Sequence, residues 1–265
     1  MIYEIRPMSL GELLDTGFRL LRNHFGALVG LAAVLYVPMA FFQVALESVI
    51  APAESASPGE VAGLLGMVIG GVVVGLLWIT VVVPVSSAAI THAVGELYLG
   101  REATIGGALR VGWGMIIPLA GTMLLMSVLV LGGFLLLVVP GIYLLLCYSL
   151  VWPVMVIERR FGMAALRRSR ELARGSLLRI VGLALVVGIF VTVVGSGLQL
   201  LLGYLPLVGP LASGIVQAIG AAFQSAFLVL LYFDIRCRKE AFDLEHLAGL
   251  VEGGARAPLV ATPAG

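Results

Sequence analysis

Polar and apolar positions run along this chain in blocks: residues 23–46, 61–95, 111–157 and 180–233 contain no Asp, Glu, Lys or Arg. A helix needs about 20 apolar residues to cross a hydrocarbon layer of roughly 30 Å, so 27–50 holds one span and 61–84 a second. The other two stretches are each too long for one helix. Val139-Pro140-Gly141 divides the third into 115–137 and 142–157, because proline removes a helix donor and glycine permits a reversal. The segment from Gly203 to Pro210 divides the fourth in the same way, into 180–202 and 211–233. The pattern predicts an all-α, polytopic membrane protein: six transmembrane helices as three hairpins over 1–247, then a flexible tail, 248–265.

The basic residues orient this arrangement. Lys and Arg collect on the cytoplasmic side of membrane proteins, and all sixteen here fall on one side of the predicted bundle. Arg6, Arg19 and Arg22 precede span one, and Arg101 and Arg110 lie between two and three. Arg159, Arg160, Arg167, Arg168, Arg170, Arg174 and Arg179 lie between four and five, and Arg236, Arg238, Lys239 and Arg256 follow six. The alternate connections, 51–60, 138–141 and 203–210, have none. Both termini are therefore expected in the cytoplasm, and the first span is expected to act as its own address, since residues 1–10 lack the pattern of a cleavable signal.

The inner connections are amphipathic. From Leu10 to Arg22, Leu10, Leu13, Leu14, Phe18, Leu20 and Leu21 gather on one face, opposite Glu12, Asp15, Arg19 and Arg22. Residues 161–174 repeat the arrangement with Met163, Ala164, Leu166 and Leu172 against Arg167, Arg168, Arg170, Glu171 and Arg174, and 103–113 forms a shorter version. Such helices are expected to lie along the membrane surface and to meet anionic headgroups through the basic face. Each precedes one out-and-back pair of spans. Span two continues uncharged for 35 residues, about 52 Å as straight helix, and must tilt, bend or protrude. Pro84 marks where it bends, and Ser86, Ser87, Thr91 and His92 fall at or below the inner interface. Tyr98, Trp113, Trp152 and Tyr232 near the inner boundary and Tyr143 and Tyr204 near the outer one fit interfacial anchors.

Composition agrees: 60% hydrophobic residues, 12% charged and a mean hydropathy of +1.11 exclude a soluble domain. A net charge of +1 and two cysteines exclude a nucleic-acid binder and a disulfide framework. Cys147 falls in span four and Cys237 in the cytoplasmic tail, where a mutual disulfide is not expected. Gly66, Gly70, Gly71 and Gly75 form two G-x-x-x-G pairs, a spacing that lets another helix approach closely, most simply one of the same chain. His92 and Glu96 stand one helical turn apart, but no second cluster completes a metal site, and no nucleophile or cofactor motif accompanies them. No metal, cofactor or catalytic residue is expected. Gln199, Gln217 and Gln224, on spans five and six, either bond between helices or line a polar groove. In the tail, Asp234 and Glu240 can pair with Arg236, Arg238, Lys239 or the arginines of 159–174, building a charge network beneath the membrane or a headgroup site.

Arg6-Pro-Met-Ser-Leu-Gly-Glu-Leu-Leu-Asp15 with Phe18-Arg-Leu20, Ala165-Leu-Arg-Arg-Ser169, and Tyr232-Phe-Asp-Ile-Arg-Cys-Arg-Lys-Glu-Ala-Phe-Asp243 carry a resemblance over nearly the whole chain. They resemble the membrane domain that precedes the catalytic domain in some bacterial glycerophosphodiester phosphodiesterases and stands alone in other bacterial membrane proteins. Ala241 departs from that pattern, standing where glycine is expected. The resemblance implies a bacterial inner-membrane location and no catalysis, since the phosphodiesterase activity belongs to a separate soluble barrel. The resulting expectation is a non-enzymatic protein that binds membrane lipids, chiefly anionic ones, or acts as a scaffold for a protein partner or a second copy, with no nucleic acid. The alternative is a passive or facilitated transporter of a small or amphipathic solute.

Overall fold

The computed structural model describes residues 6–50, 58–202 and 208–241, and every regular element among them is helical. The helices are α1 (Leu10–Asn23), α2 (Phe25–Ile50), α3 (Pro58–Leu77), α4 (Val83–Tyr98), α5 (Ile105–Gly114), α6 (Ile116–Leu136), α7 (Val138–Cys147), α8 (Val151–Ile157), α9 (Met163–Ala173), α10 (Leu177–Leu202) and α11 (Val208–Glu240). Six helical runs are long and apolar enough to cross a membrane: Phe25–Ala45, Val68–Tyr98, Ile116–Leu136, Val138–Ile157, Leu177–Leu202 and Gly209–Glu240. The chain is a multi-pass helical membrane protein. The expected tail 248–265 and the reversal around Gly203 to Pro206 lie outside the described residues.

Prolines stand in the first turns of helices here. Pro58 opens α3, Pro140 is the third residue of α7 and Pro210 the third of α11. A proline in the first turn forfeits only an N–H that has no intrahelical partner there. The reversal between α6 and α7 therefore falls at Leu137, which is extended at φ −165° and ψ 155°. Gly141 lies one turn into α7, where its missing side chain makes room for the Phe134 ring. The fourth span is also interrupted, by a turn over Tyr148-Ser149-Leu150 between α7 and α8.

The long second span keeps its helix throughout. A π-helical turn at Trp78–Val82 joins α3 to α4, and Pro84 lies just beyond it. A wider turn of this kind absorbs the carbonyl that a proline ring would meet in a regular α-helix. The two halves then differ in surroundings. Ile69, Val72, Val73 and Leu76 of α3 are exposed, whereas α4 is buried on nearly every side, Ser86 and Thr91 included. Tyr98 and Tyr232, placed by sequence at the lipid interface, are fully buried, while Trp113 is 63% exposed. Around α4 pack α5, α8 and the charged end of α11. This inner layer contains most of the core, and toward the opposite end the helices present aliphatic side chains outward, Leu131, Leu135 and Leu201 among them.

The most extensive helix pair joins the first and last spans, α2 and α11. Gly214 makes it: a Cβ there would lie 2.6 Å from Val37 Cα, so backbone meets backbone. At the G-x-x-x-G spacing of α3, Gly71 is buried, whereas a Cβ at Gly66, Gly70 or Gly75 would meet no described atom within 4 Å. Glycine spacing records that a helix can be approached, and tertiary packing decides whether it is.

α1 is capped and packs against the last span. Its N-terminus has a full capping box, with Ser9 Oγ accepting from Glu12 N–H at 3.2 Å and Glu12 Oε2 accepting from Ser9 N–H at 2.7 Å. Its side chains reach α10 at three points: Met8 O accepts from Arg179, Leu10 lies near Gly182 and the Phe18 ring stands 5.5 Å edge-on to Phe190. Leu13, Gly17 and Leu20 are buried, and Gly17 seats the Phe227 ring. The helix thus packs on α11 through Leu13, Leu20 and Leu21, while Leu10 and Phe18 keep part of their surface exposed.

Candidate functional site

Two places gather the chemistry that the sequence holds. The first is the charged end of the bundle, where three carboxylates are enclosed by arginines. Asp234 on α11 has 0% side-chain exposure. It accepts the Met8 N–H at 2.8 Å and Arg238 Nε at 3.2 Å. Arg179 Nε lies 2.7 Å from its other oxygen, in ion-pair contact although its N–H is not aimed there. Arg179 and Arg238 also donate to Met8 O, the latter at 2.6 Å. The segment before α1, the start of α10 and the end of α11 are thereby clamped on one buried charge.

The second carboxylate, Glu158, follows α8 and is almost fully covered. Arg168 Nε donates to both its oxygens at 2.9 Å, and the Tyr232 hydroxyl donates at 2.8 Å. The same Arg168 reaches Glu240 with Nη2 at 2.8 Å and Nη1 at 2.5 Å. Arg236 Nε donates to Glu240 at 3.0 Å and its Nη1 to Tyr232 at 3.3 Å. The two carboxylates, Glu240 first, push the Arg168 guanidinium further up from its ordinary value, so it stays charged at any relevant pH. Lys239 closes the group by donating to the carbonyls of Glu171, at 2.7 Å, and Arg174.

Of the residues singled out by sequence, Arg168, Asp234, Arg236 and Arg238 are brought into these clusters. Arg170 is held apart, donating to the Tyr148 hydroxyl at 2.8 Å with its guanidinium over that ring. Arg19 pairs only with Asp15, one turn away on the exposed face of α1. Arg22, Arg167 and Arg174 are exposed and have no ion-pair partner among the described residues, and Arg110 joins them. The sequence reading passed over Glu158 and the Met8 backbone and gave Arg179 no role beyond loop charge. Glu158 was visible as the lone acid at the end of a 47-residue uncharged stretch, 111–157, but nothing local tied it to Arg168 or Tyr232.

The unpaired arginines have apolar neighbours on the surface. Trp113 and Ile117 follow Arg110 at 63% and 81% exposure, Leu178 follows Arg174 at 89%, and Met163 precedes Arg167 by one turn. Cation and exposed apolar side chain side by side is the composition of a membrane interface.

The second place is a groove at the other end of the bundle. α10 and α11 run antiparallel, with Gln199 Nε2 donating to Ser213 Oγ at 2.7 Å and Phe190 stacked on Phe223 at 4.8 Å. Residue numbers that face each other therefore sum to 412 or 413. This register sets Thr192, Ser196 and Gln199 of α10 beside Gln217 and Gln224 of α11. With Tyr36 of α2 they line one cavity of about 410 Å³. All three glutamines expected as a groove are brought together. Gln217, Gln224 and the Tyr36 hydroxyl make no hydrogen bond among the described residues. Gly195 and Gly220, small residues at the crossing, keep the cavity open.

Among the described residues no three His, Cys, Asp or Glu side chains gather as metal ligands would. Cys147 and Cys237 are both buried. Fold and sites together define a multi-pass helical membrane protein with a charge-clamped end and an uncharged polar groove. Comparison with protein-family models, with curated proteins and with solved structures finds no match to this chain.

Proposed function

We propose that this is a lipid-binding protein of the bacterial cytoplasmic membrane, non-enzymatic, with both termini in the cytoplasm and its arginine-bearing end on anionic headgroups. The observation that carries it is the division of the arginines. Arg168, Arg179, Arg236 and Arg238 are spent on internal carboxylates, while Arg22, Arg110, Arg167 and Arg174 stay exposed beside Trp113, Ile117, Met163 and Leu178. A solvent-facing surface has no use for so much apolar area next to its cations, whereas a headgroup layer meets both. Three out-and-back pairs of spans, each preceded by an amphipathic helix, fit this reading. So does the family resemblance. A scaffold role for a protein partner or a second copy is compatible with the same surface.

Passive transport draws on the polar groove, but its polar lining ends at Gln224, and the ten residues to Asp234, about 15 Å of helix, are almost wholly apolar. The lipid reading is therefore preferred. The test offers the purified protein equal amounts of phosphatidylglycerol and phosphatidylcholine in mild detergent and reads retained lipid by native mass spectrometry. Phosphatidylglycerol should dominate, its share falling with added salt and in the combined R22Q, R110Q, R167Q and R174Q variant. Equal retention of the two lipids by the unaltered protein would refute the proposal. Arg168 is a poor choice for such a test, because its loss would take the partner that Glu158 and Glu240 share.

A further inference from the structure

We infer that the groove between α2, α10 and α11 is a lateral binding site for a lipid whose headgroup is uncharged and hydrogen-bonding, of the glycerol hydroxyl and ester kind. The inference rests on the lipid reading above in placing these helices in hydrocarbon, but it concerns a different end of the molecule.

Three features of the groove select that occupant. Among the described residues its lining has no Asp, Glu, Lys, Arg or His. A phosphate or carboxylate would enter without a countercharge, at a cost that hydrocarbon surroundings make prohibitive. The side chains that do line it, Thr192, Ser196, Gln199, Gln217, Gln224 and Tyr36, are hydroxyls and amides that both donate and accept. Hydroxyl and ester groups match them. Finally, Gln217, Gln224 and Tyr36 have no internal partner among the described residues. In water such groups would be solvated at no cost; within a bilayer they need a ligand, another polar group or water.

The direction of opening separates a lipid from a soluble solute. Thr192, Ser196, Gln199 and Gln224 are exposed, so the polar wall faces out of the bundle. On either side stand Val193, Leu200 and Val34, at 64%, 65% and 55% exposure, an aliphatic border suited to acyl chains. On α11 the ladder from Ser213 to Gln224 covers about 16 Å, and it begins only four residues from Gly209 at the end remote from the arginines. A headgroup and its glycerol can be held there while the chains remain in the bilayer. The volume of about 410 Å³ suits such a group and not a whole lipid.

The test uses the full chain in mild detergent, with dioleoylglycerol as the neutral probe, dioleoylphosphatidylglycerol as the anionic one, and native mass spectrometry as the readout. Loss of two hydrogen bonds in hydrocarbon, each about threefold, should lower dioleoylglycerol retention roughly tenfold in Gln217→Leu/Gln224→Leu. Retention of the anionic lipid should stay unchanged, and excess free glycerol should not displace the neutral one. Thr192→Trp, at an exposed position on the opposite wall, fills the groove without entering the α11 packing and should lower retention as well. Equal dioleoylglycerol retention by the unaltered protein and Thr192→Trp would overturn the assignment. Displacement by glycerol would also overturn it, making the groove a solute pocket. The arginine variants lose only the anionic lipid, so a failure of one reading is distinguishable from a failure of the other.

Discussion

Asp234→Asn isolates the clamp at the charged end of the bundle, because asparagine keeps the shape and an acceptor for Met8 N–H while removing the charge. In the native protein that charge is completely buried and lies 2.7 Å from Arg179 and 3.2 Å from Arg238. The two arginines will not suffer equally. Arg238 has 42% side-chain exposure and can turn toward water, whereas Arg179 at 20% keeps a guanidinium in a poorly solvated place with little beyond the Met8 carbonyl to face. Removing one partner of a buried pair costs about 3–5 kcal/mol. With only one of the two cations trapped, the lower figure of about 3 kcal/mol applies. For a chain of this size that is a fall of roughly 6–12 °C in Tm. Thermal unfolding in detergent should show it, together with faster proteolysis ahead of α1, because Arg238 turning to water releases Met8 O. The exposed pair Asp15 and Arg19 serves as the control, and Asp15→Asn should move Tm by no more than about 2–3 °C. A Tm for Asp234→Asn within that of Asp15→Asn, with residues 6–9 still protected, would refute the argument that α1 is held by a buried charge.

Gly214→Ala should be strongly destabilising, by about 1–3 kcal/mol as overpacking, since the new Cβ meets the α2 backbone, while Gly188→Ala, with open space around it, should be nearly neutral; paired melting curves decide. Ala241→Gly should raise stability by about 1 kcal/mol, because the left-handed conformation at the end of α11 disfavours any side chain; an unchanged or lower Tm would count against that strain. Glu12 has its carboxyl pulled down to about 2, chiefly by the Ser9 N–H and then by Arg6. A depressed folded value means that the charged cap helps α1 above the unfolded value, near 4.3, and that this help fades as pH falls toward about 2. Amide exchange over residues 9–16 should therefore be slower in the native chain than in Glu12→Gln at pH 6, with the gap closing in acid; a gap that is constant with pH would contradict it.

The sequence by itself determined which stretches are helical and where charge collects. Both follow from local physics: an uncharged run of twenty or more residues cannot stay in water, and a backbone in hydrocarbon must satisfy its own hydrogen bonds. It also placed Gln217 and Gln224 on one helix face, since seven residues are close to two turns. What it could not decide was which surface meets which. Leu13 and Leu20 are as apolar as any lipid tail, so amphipathicity alone does not distinguish a helix lying on lipid from one seated against α10 and α11. Gly214 stands in no G-x-x-x-G pair, yet it has a neighbour's backbone against it, while Gly66, Gly70 and Gly75 have none among the described residues. Pro140 and Pro210 mark the reversals, but whether each ends one helix or begins the next depends on where the turn before it closes. The two candidate sites lie furthest from the sequence, because each is an effect of register. Met8 meets Asp234 across 226 positions, and Gln199 stands by Gln217 only because α10 and α11 cross where Gly195 and Gly220 leave room. Those distances are set by side-chain volumes on facing helices, a property of pairs of segments that no single segment contains.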